Sequence, residues 1–152
     1  MPNKTEFEQR REKFLISTDK NKLDINVIHQ YLARSYWATN ISREVVGRAI
    51  ENSFCFGIYS AEKQIGFARV ISDFATYAYL ADVFVLEEFR GQGLSKWLMQ
   101  CIMEHPALQG FRRFMLATKD AHGLYAQFGF KPLQSPDRYM ERYDPDIYKK
   151  TE

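Results

Sequence analysis

Arg90-Gly91-Gln92-Gly93-Leu94-Ser95 stands between a long apolar run, Thr76 to Leu86, and the clearest amphipathic segment of the chain. A strand-to-helix junction of this kind can hold phosphate with its backbone. The first N–H groups of a helix have no intrahelical partner, and the helix dipole adds partial positive charge there. Glycine removes the Cβ, so a pyrophosphate can approach the main chain closely. Arg90 and Lys96 can assist. Other phosphate motifs do not fit: G-x-x-x-x-G-K-S/T is absent, and Lys96 stands where a dinucleotide fingerprint needs its third small residue. A glycine-rich turn without a ligand has the same spelling, so these residues alone leave both readings open.

Asp82 is the only charged residue between Thr76 and Leu86. A carboxylate inside an apolar strand is costly to bury unless it is paired. Strand alternation turns it away from Val83 and Val85. Two roles fit: a general base, acting directly or through water, and a structural partner to Arg69. Tyr125 is either a proton donor or a ring covering the core edge. Tyr79 and Glu141 are secondary base or binding candidates. His29, His105 and His122 have no Ser, Cys or Asp pattern around them, which suits solvated or capping roles. Ser35 to Thr39, with Tyr36 and Trp37, and Phe74 to Tyr77 are aromatic loops. Rings beside Asp82 would suit a cationic amine, or would simply pack helices on a sheet.

The elements that must position these groups follow from period and punctuation. Residues 1–11 are polar and expected to be frayed or weakly helical. Phe14 to Ile16 is a short strand. Leu23, Val27, Tyr31 and Leu32 give a helix one apolar face. Ser42 caps a second helix, with Ile41 and Val46 placed as a hydrophobic staple. Phe54 to Tyr59, Gln64 to Ile71 and Thr76 to Leu86, joined by short turns, read as an antiparallel meander. Leu94, Trp97, Leu98, Cys101 and Ile102 mark the main helix. Phe111 to Thr118 is a strand, Ala121 to Phe128 a short helix ended by Gly129, and residues 130–133 and 138–143 a final strand pair. The order β-α-α-β-β-β-α-β-α-β-β describes one α/β domain with a mixed sheet, and residues 144–152 a polar tail.

The totals agree with one domain. The chain has 152 residues, 45% of them hydrophobic and 15% aromatic, enough for a core and a ring-lined pocket. A net charge of +2 without a long basic run argues against nucleic acid. No apolar run has the length of a membrane span, and the N-terminus is too polar for a secretory signal. The expected setting is cytoplasmic. Cys55 and Cys101 form no C-x-x-C pair and read as buried reduced thiols, so no metal is expected.

Val83-Phe84-Val85 followed by Arg90-Gly91-Gln92-Gly93-Leu94-Ser95 resembles the acetyl-CoA signature Q/R-x-x-G-x-G/A of the GNAT superfamily of N-acetyltransferases. Leu124-Tyr125-Ala126-Gln127-Phe128-Gly129-Phe130 is similar to that family's L-Y-x-x-x-G-F segment. The element order matches the GNAT fold from about residue 12 to 143. The resemblance implies a mostly antiparallel central sheet flanked by helices, with a splayed strand pair that admits acetyl-CoA. Val83, Phe84 and Val85 would offer backbone groups to the pantetheine arm. Gly91 through Lys96 would hold the pyrophosphate, with Arg90 beside them. Tyr125 matches the family's usual proton donor to the departing thiolate. Tyr36, Trp37, Tyr79 and Arg138 would flank the acceptor.

The same resemblance implies transfer of an acetyl group from acetyl-CoA to a primary amine of a small molecule or peptide, by direct attack in a ternary complex. A homodimer is left open. Some positions depart from the family. Ser95 replaces the last Gly or Ala, and Leu86-Glu87 replaces a common Asp-Pro. Thr118 stands where many members carry a pantetheine-contacting Asn. Arg113 occupies a position that holds a catalytic Glu in some members, so that base is missing. A non-catalytic acyl-CoA-binding module, which keeps the cradle but not the chemistry, is the alternative.

Overall fold

The computed structural model describes residues 6–149. One six-stranded sheet runs in sequence order: β1 (Glu8–Arg11), β2 (Phe14–Ser17), β3 (Phe54–Ser60), β4 (Lys63–Ser72), β5 (Tyr77–Val85) and β6 (Arg113–Leu116). Neighbours pair antiparallel except β5 with β6, which are parallel. The parallel step is forced by the connection: α3 (Leu94–Glu104) crosses back over the sheet between the two strands.

Each face of the sheet is covered by helices. Trp97, Leu98, Met99 and Ile102 of α3 pack on Phe56, Ile58, Val70, Ala78 and Leu80. Trp97 and Leu98 are essentially inaccessible, as the helical spacing predicts. On the other face, α1 (Ile25–Arg34) and α2 (Arg43–Glu51) bury Ile28, Leu32 and Val46 against Cys55, Phe67 and Phe84. Asp24 caps α1 by accepting from Asn26 N and Val27 N, and Ser42 caps α2 by accepting from Val45 N. Losing such a cap costs about 1 kcal/mol. Ile41 and Val46 are both buried, consistent with the staple. The thiols of Cys55 and Cys101 are buried and free.

Two expectations are corrected. Residues 8–11 are not frayed: they form edge strand β1, with Gln9 opposite Ile16. Their polarity suits an edge strand, which water or charge must protect. The final strand pair is absent among the described residues; after the short α4 (His122–Ala126) there is only a 3₁₀ turn, Pro136–Arg138. Pro132 removes a ladder donor there, and Phe130 N instead donates back to Tyr125 O. Within the polar tail, Tyr148 is half-buried against the α1/α2 cluster. The expectations for residues 1–5 and 150–152 lie outside the described residues.

Candidate active site

The parallel ladder is short. It joins Tyr77 to Leu80 with Arg113 to Leu116 and stops. Beyond Leu80, β5 continues through Val85 while the segment after β6 leaves as a loop toward α4 (His122–Ala126), so the β6 side of residues 81–85 has no strand partner. A cleft of about 1030 Å³ opens there, with Val83 on one wall and Thr118 and Tyr125 on the other.

β5 is bulged at the same place. Phe67 pairs with Phe84 and Arg69 with Ala81, so Ala68 faces two residues, Asp82 and Val83. Asp82 takes φ +57, the left-handed region. For a non-glycine residue that conformation costs on the order of 1–3 kcal/mol and needs support from its surroundings. The bulge also resets the alternation: Ala78 and Leu80 face α3, and so does Val85. Asp82 turns to the α1 side. Its Oδ2 accepts from Arg69 Nε at 2.8 Å and its Oδ1 from Trp37 Nε1 at 2.8 Å. Arg69 Nη1 donates in turn to Ser53 Oγ at 3.0 Å.

The glycine turn follows β5. Gly91 and Gly93 have φ of +83 and +78, and a Cβ on either would meet open space. Backbone conformation, not crowding, therefore asks for glycine at these two positions. Gly93 is the N-cap residue of α3 and leaves the first N–H groups of an 11-residue helix without a side-chain cap. A small concavity of about 130 Å³ lies here, lined by Val85, Arg90, Gly91, Gly93, Ser95 and Lys96 among others. Arg90 is tied down: Nε donates to Val85 O at 3.0 Å and Nη2 to Tyr31 Oη at 2.8 Å. It splints strand to turn. Phe84 and Leu94 are buried, so they can contribute only backbone, and Gln92 Nε2 donates to Phe89 O.

Tyr125 sits on α4, mostly buried, its ring edge-on to Phe130. Burial pushes its phenol pKa above the ordinary value, with a smaller contribution from Tyr36. Tyr79 is half-buried on the same wall as Asp82, and burial raises its phenol too. Thr118 lines the cleft while its Oγ1 accepts from Ala121 N at 3.0 Å, which fixes the entry to α4. Tyr36 and Trp37 come from the α1–α2 loop, and Tyr36 Oη accepts from Lys119 N at 3.2 Å on the far wall. These residues are brought together. Arg138 is not among the cleft-lining residues; it stands exposed on the late 3₁₀ turn. Glu141 is exposed as well. The Phe74 turn packs on Phe54, away from the cleft.

Sequence reasoning missed Tyr31, Arg34, Lys119, Asp120 and Tyr148 as cleft residues. Tyr31 had one legible signal, a polar tip on an apolar helix face. Its ring stacks on Phe84 with centroids 4.0 Å apart. The histidines are structural or exposed: Nε2 of His29 is 3.0 Å from Ile41 O, and Nδ1 of buried His105 accepts from Ala107 N.

Residues 51–132, more than half of the chain, match the model of the GNAT acetyltransferase domain. The chain belongs to the GNAT acetyltransferase family. A Gibberella zeae protein assigned to the acetyltransferases is 33% identical over 151 residues, 84% of each chain. A Xanthomonas campestris pv. campestris structure assigned to the GNAT family is 54% identical, with TM-score 0.88 over 90% of this chain and 97% of that one. A Clostridium acetobutylicum structure assigned to the acetyltransferases and solved with acetyl-CoA shares the fold at 14% identity, TM-score 0.60, covering 78% of this chain and 86% of that one. The GNAT sheet is thus the frame for both the cleft and the glycine turn. Among the described residues, no cluster of His, Cys, Asp or Glu could hold a metal ion, and no helix is long and apolar enough to cross a membrane.

Proposed function

We propose that this GNAT chain transfers the acetyl group of acetyl-CoA to a primary amine of a small molecule or peptide, by direct attack while donor and acceptor are both bound. The observation that carries the proposal is continuity: the unpartnered edge of β5, residues 81–85, leads directly into the glycine turn and the uncapped start of α3. An extended arm ending in a pyrophosphate fits that line. The acetyl-CoA of the Clostridium structure supports the same donor.

Acetyl-CoA supplies an acyl group activated by a thiol leaving group. The chain's own residues do the rest. Backbone groups of Val83, Phe84 and Val85 bind an extended arm as a further strand would. The N–H groups from Gly91 to Lys96 bind the pyrophosphate, and Lys96 adds charge. Arg90 keeps turn and strand in register. Thr118 forms the opposite wall. A strand N–H at the bulge can polarise a carbonyl placed against it, since a preorganised donor costs no reorganisation during reaction.

Tyr125 Oη holds a proton. Burial favours its neutral form, so it stays protonated at neutral pH and can give that proton to a thiolate, whose reference pKa is about 8.5. A lysine-like amine has a pKa of about 10.4 and must shed a proton to attack. Asp82 or water can take it. Tyr36, Trp37 and Tyr79 line the acceptor's approach; Arg138 is left out of that wall. The setting proposed is the cytoplasm.

The test uses the wild-type chain. Acetyl-CoA should raise its melting temperature, because binding only the native state stabilises it. Thiol release should then follow on part of a panel of alkylamines, aromatic amines, amino sugars and lysine peptides. Stabilisation without turnover on any amine would favour the non-catalytic binding module. No stabilisation would overturn the donor assignment.

A further inference from the structure

Asp82 has two candidate roles in the cleft, and its surroundings separate them. Each carboxylate oxygen already accepts a directed bond, Oδ1 from Trp37 Nε1 and Oδ2 from Arg69 Nε, both at 2.8 Å. Arg69 is anchored from behind by Ser53 Oγ. The side chains of Arg69 and Asp82 are only 16% and 11% exposed. Trp37 is different. It is 41% exposed, and the loop that carries it has no strand or helix of its own. The bond to Asp82 fixes where its indole points. Tyr36 packs edge-on against that indole, with centroids 5.1 Å apart at 81°. Across the cleft, Tyr36 Oη accepts from Lys119 N, and Lys119 Nζ lies 5.2 Å from the Tyr36 ring centre. The contacts form one line: Ser53, Arg69, Asp82, Trp37, Tyr36, Lys119. It starts in the turn between α2 and β3 and ends on the wall that carries Thr118 and α4.

We infer that Asp82 is a positioning residue, which holds the β5 bulge on one side and aims the Trp37–Tyr36 ring pair across the cleft on the other, so that the rings set the acceptor's pose. The inference rests on the acetyl-transfer reading and goes beyond it. An amine entering between the walls meets the exposed Trp37 ring, since Lys119 Nζ already stands over the ring of Tyr36. The carboxylate behind them is occupied by two donors. Arg69, Tyr79 and Cys55 are the titratable groups grouped around Asp82 on the sheet, and none of them is a free base at neutral pH: one is a cation, and the other two are pushed up by burial. The acceptor class that suits such a wall is an amine borne on a flat or apolar group, which packs on the indole.

Three variants test the line: Asp82→Asn, Trp37→Phe and the double variant. Asparagine keeps the volume; its Oδ1 stays with the charged Arg69 donor, the stronger pairing, so its NH₂ faces the Trp37 N–H, donor against donor. Phenylalanine keeps a ring and removes only the indole N–H. Each single change should raise the acceptor KM by about tenfold, the size of a lost hydrogen bond to a charged group, with a smaller fall in kcat. The double variant should be no worse than Asp82→Asn, because both changes break one bond. Stabilisation by acetyl-CoA should persist, and the acid limb of the pH profile should remain in Asp82→Asn. Trp37 emission should shift to the red in Asp82→Asn, as the indole loses its anchor. This last signal is independent of turnover, so it tests the clamp even if no amine on the panel reacts. Loss of the acid limb in Asp82→Asn, with activity restored above the amine pKa and a normal Trp37→Phe, would make Asp82 the base and overturn the inference. So would additive effects, or unchanged emission. Should Asp82→Asn fail to fold, Trp37→Phe alone decides: an unaltered acceptor KM rejects the clamp.

Discussion

The two walls of the cleft are built in different ways. The donor wall comes from one stretch of chain, residues 83–96: a strand edge, a glycine turn and a helix start. On the proposed reading its recognition groups are main-chain N–H and C=O, held by secondary structure whatever the side chains do. The acceptor wall gathers side chains from several separate segments on both sides of the cleft: Tyr31 to Trp37, Arg69, Tyr79 to Asp82, Lys119 and Asp120, and Tyr148. Here each group depends on a tertiary contact for its aim. A donor shared by a whole family can be held by the first kind of wall. An acceptor that differs between members suits the second, because single substitutions can reshape it without disturbing the sheet.

The largest expected effect lies where the walls meet. Tyr125→Phe keeps the ring on Phe130 and removes only the proton. Removal of a general acid costs roughly two to four powers of ten in rate, so kcat should fall by that order while acetyl-CoA still stabilises the fold. A change of about threefold or less in kcat would return Tyr125 to a packing role and leave the donor wall without its acid.

The donor wall can be broken by charge. Lys96 is exposed beside the turn. Lys96→Glu reverses one charge next to the pyrophosphate site and should weaken acetyl-CoA binding by about tenfold, less at high salt, where screening shortens the reach of both charges. The acceptor KM should stay put. Calorimetry with acetyl-CoA and with a dephosphorylated thioester would separate phosphate binding from arm binding; equal losses for both would move the pyrophosphate elsewhere.

The contrast between walls also explains what was legible in the sequence. The glycine turn could be read because glycine spacing before an amphipathic helix reports backbone geometry directly. Tyr125 came with a motif around it. The core helices followed from period, and Ser42 from its capping chemistry. The bulge in β5 carried no such signal: Asp82 is not glycine, and its φ of +57 is held by Arg69 and Trp37, which lie 13 and 45 residues away. Tyr148 joined the cleft from a stretch whose composition says only polar. The strand pair expected at 130–143 failed because alternation is not enough; a strand needs a partner edge and its N–H groups, and Pro132 lacks one while Phe130 N turns back to Tyr125 O.

Alkaline pH offers a sharper test of which wall limits the rate. Burial raises the Tyr125 phenol above the ordinary tyrosine value, so the alkaline limb of kcat, if Tyr125 sets it, should lie above that value, 10.0. The fold itself weakens in the same range. Burial pushes Cys55 and Cys101 from 9.0 up to about 11. A group whose folded pKa is raised binds its proton more tightly in the native state, so this stabilisation is full below the unfolded value and is lost as pH rises through the folded one. The melting temperature should therefore decline from about pH 9 toward pH 11, and the decline should shrink in Cys55→Ala at its own lower baseline. A limb in kcat that appears below pH 9, with the fold intact, would assign the titration to a group other than Tyr125.

The smallest effect belongs to the tip of the acceptor wall. Tyr36→Phe removes one hydroxyl, the acceptor for Lys119 N at 3.2 Å, and keeps the ring against Trp37 and under Lys119. Tyr36 is 58% exposed, so water can replace the lost bond and the net cost should stay below about 1 kcal/mol, roughly fivefold in acceptor KM. Removing the ring with Tyr36→Ala should cost more, since it also takes away the stacking surface. In neither variant should the acetyl-CoA KM move, because no contact of Tyr36 touches β5 or the glycine turn directly. That separation is the sharpest consequence of a cleft with one main-chain wall and one side-chain wall. A rise in acetyl-CoA KM in Tyr36→Phe, measured at saturating amine, would mean that Lys119 carries the disturbance through Thr118 to the donor side, and that the two walls act as one.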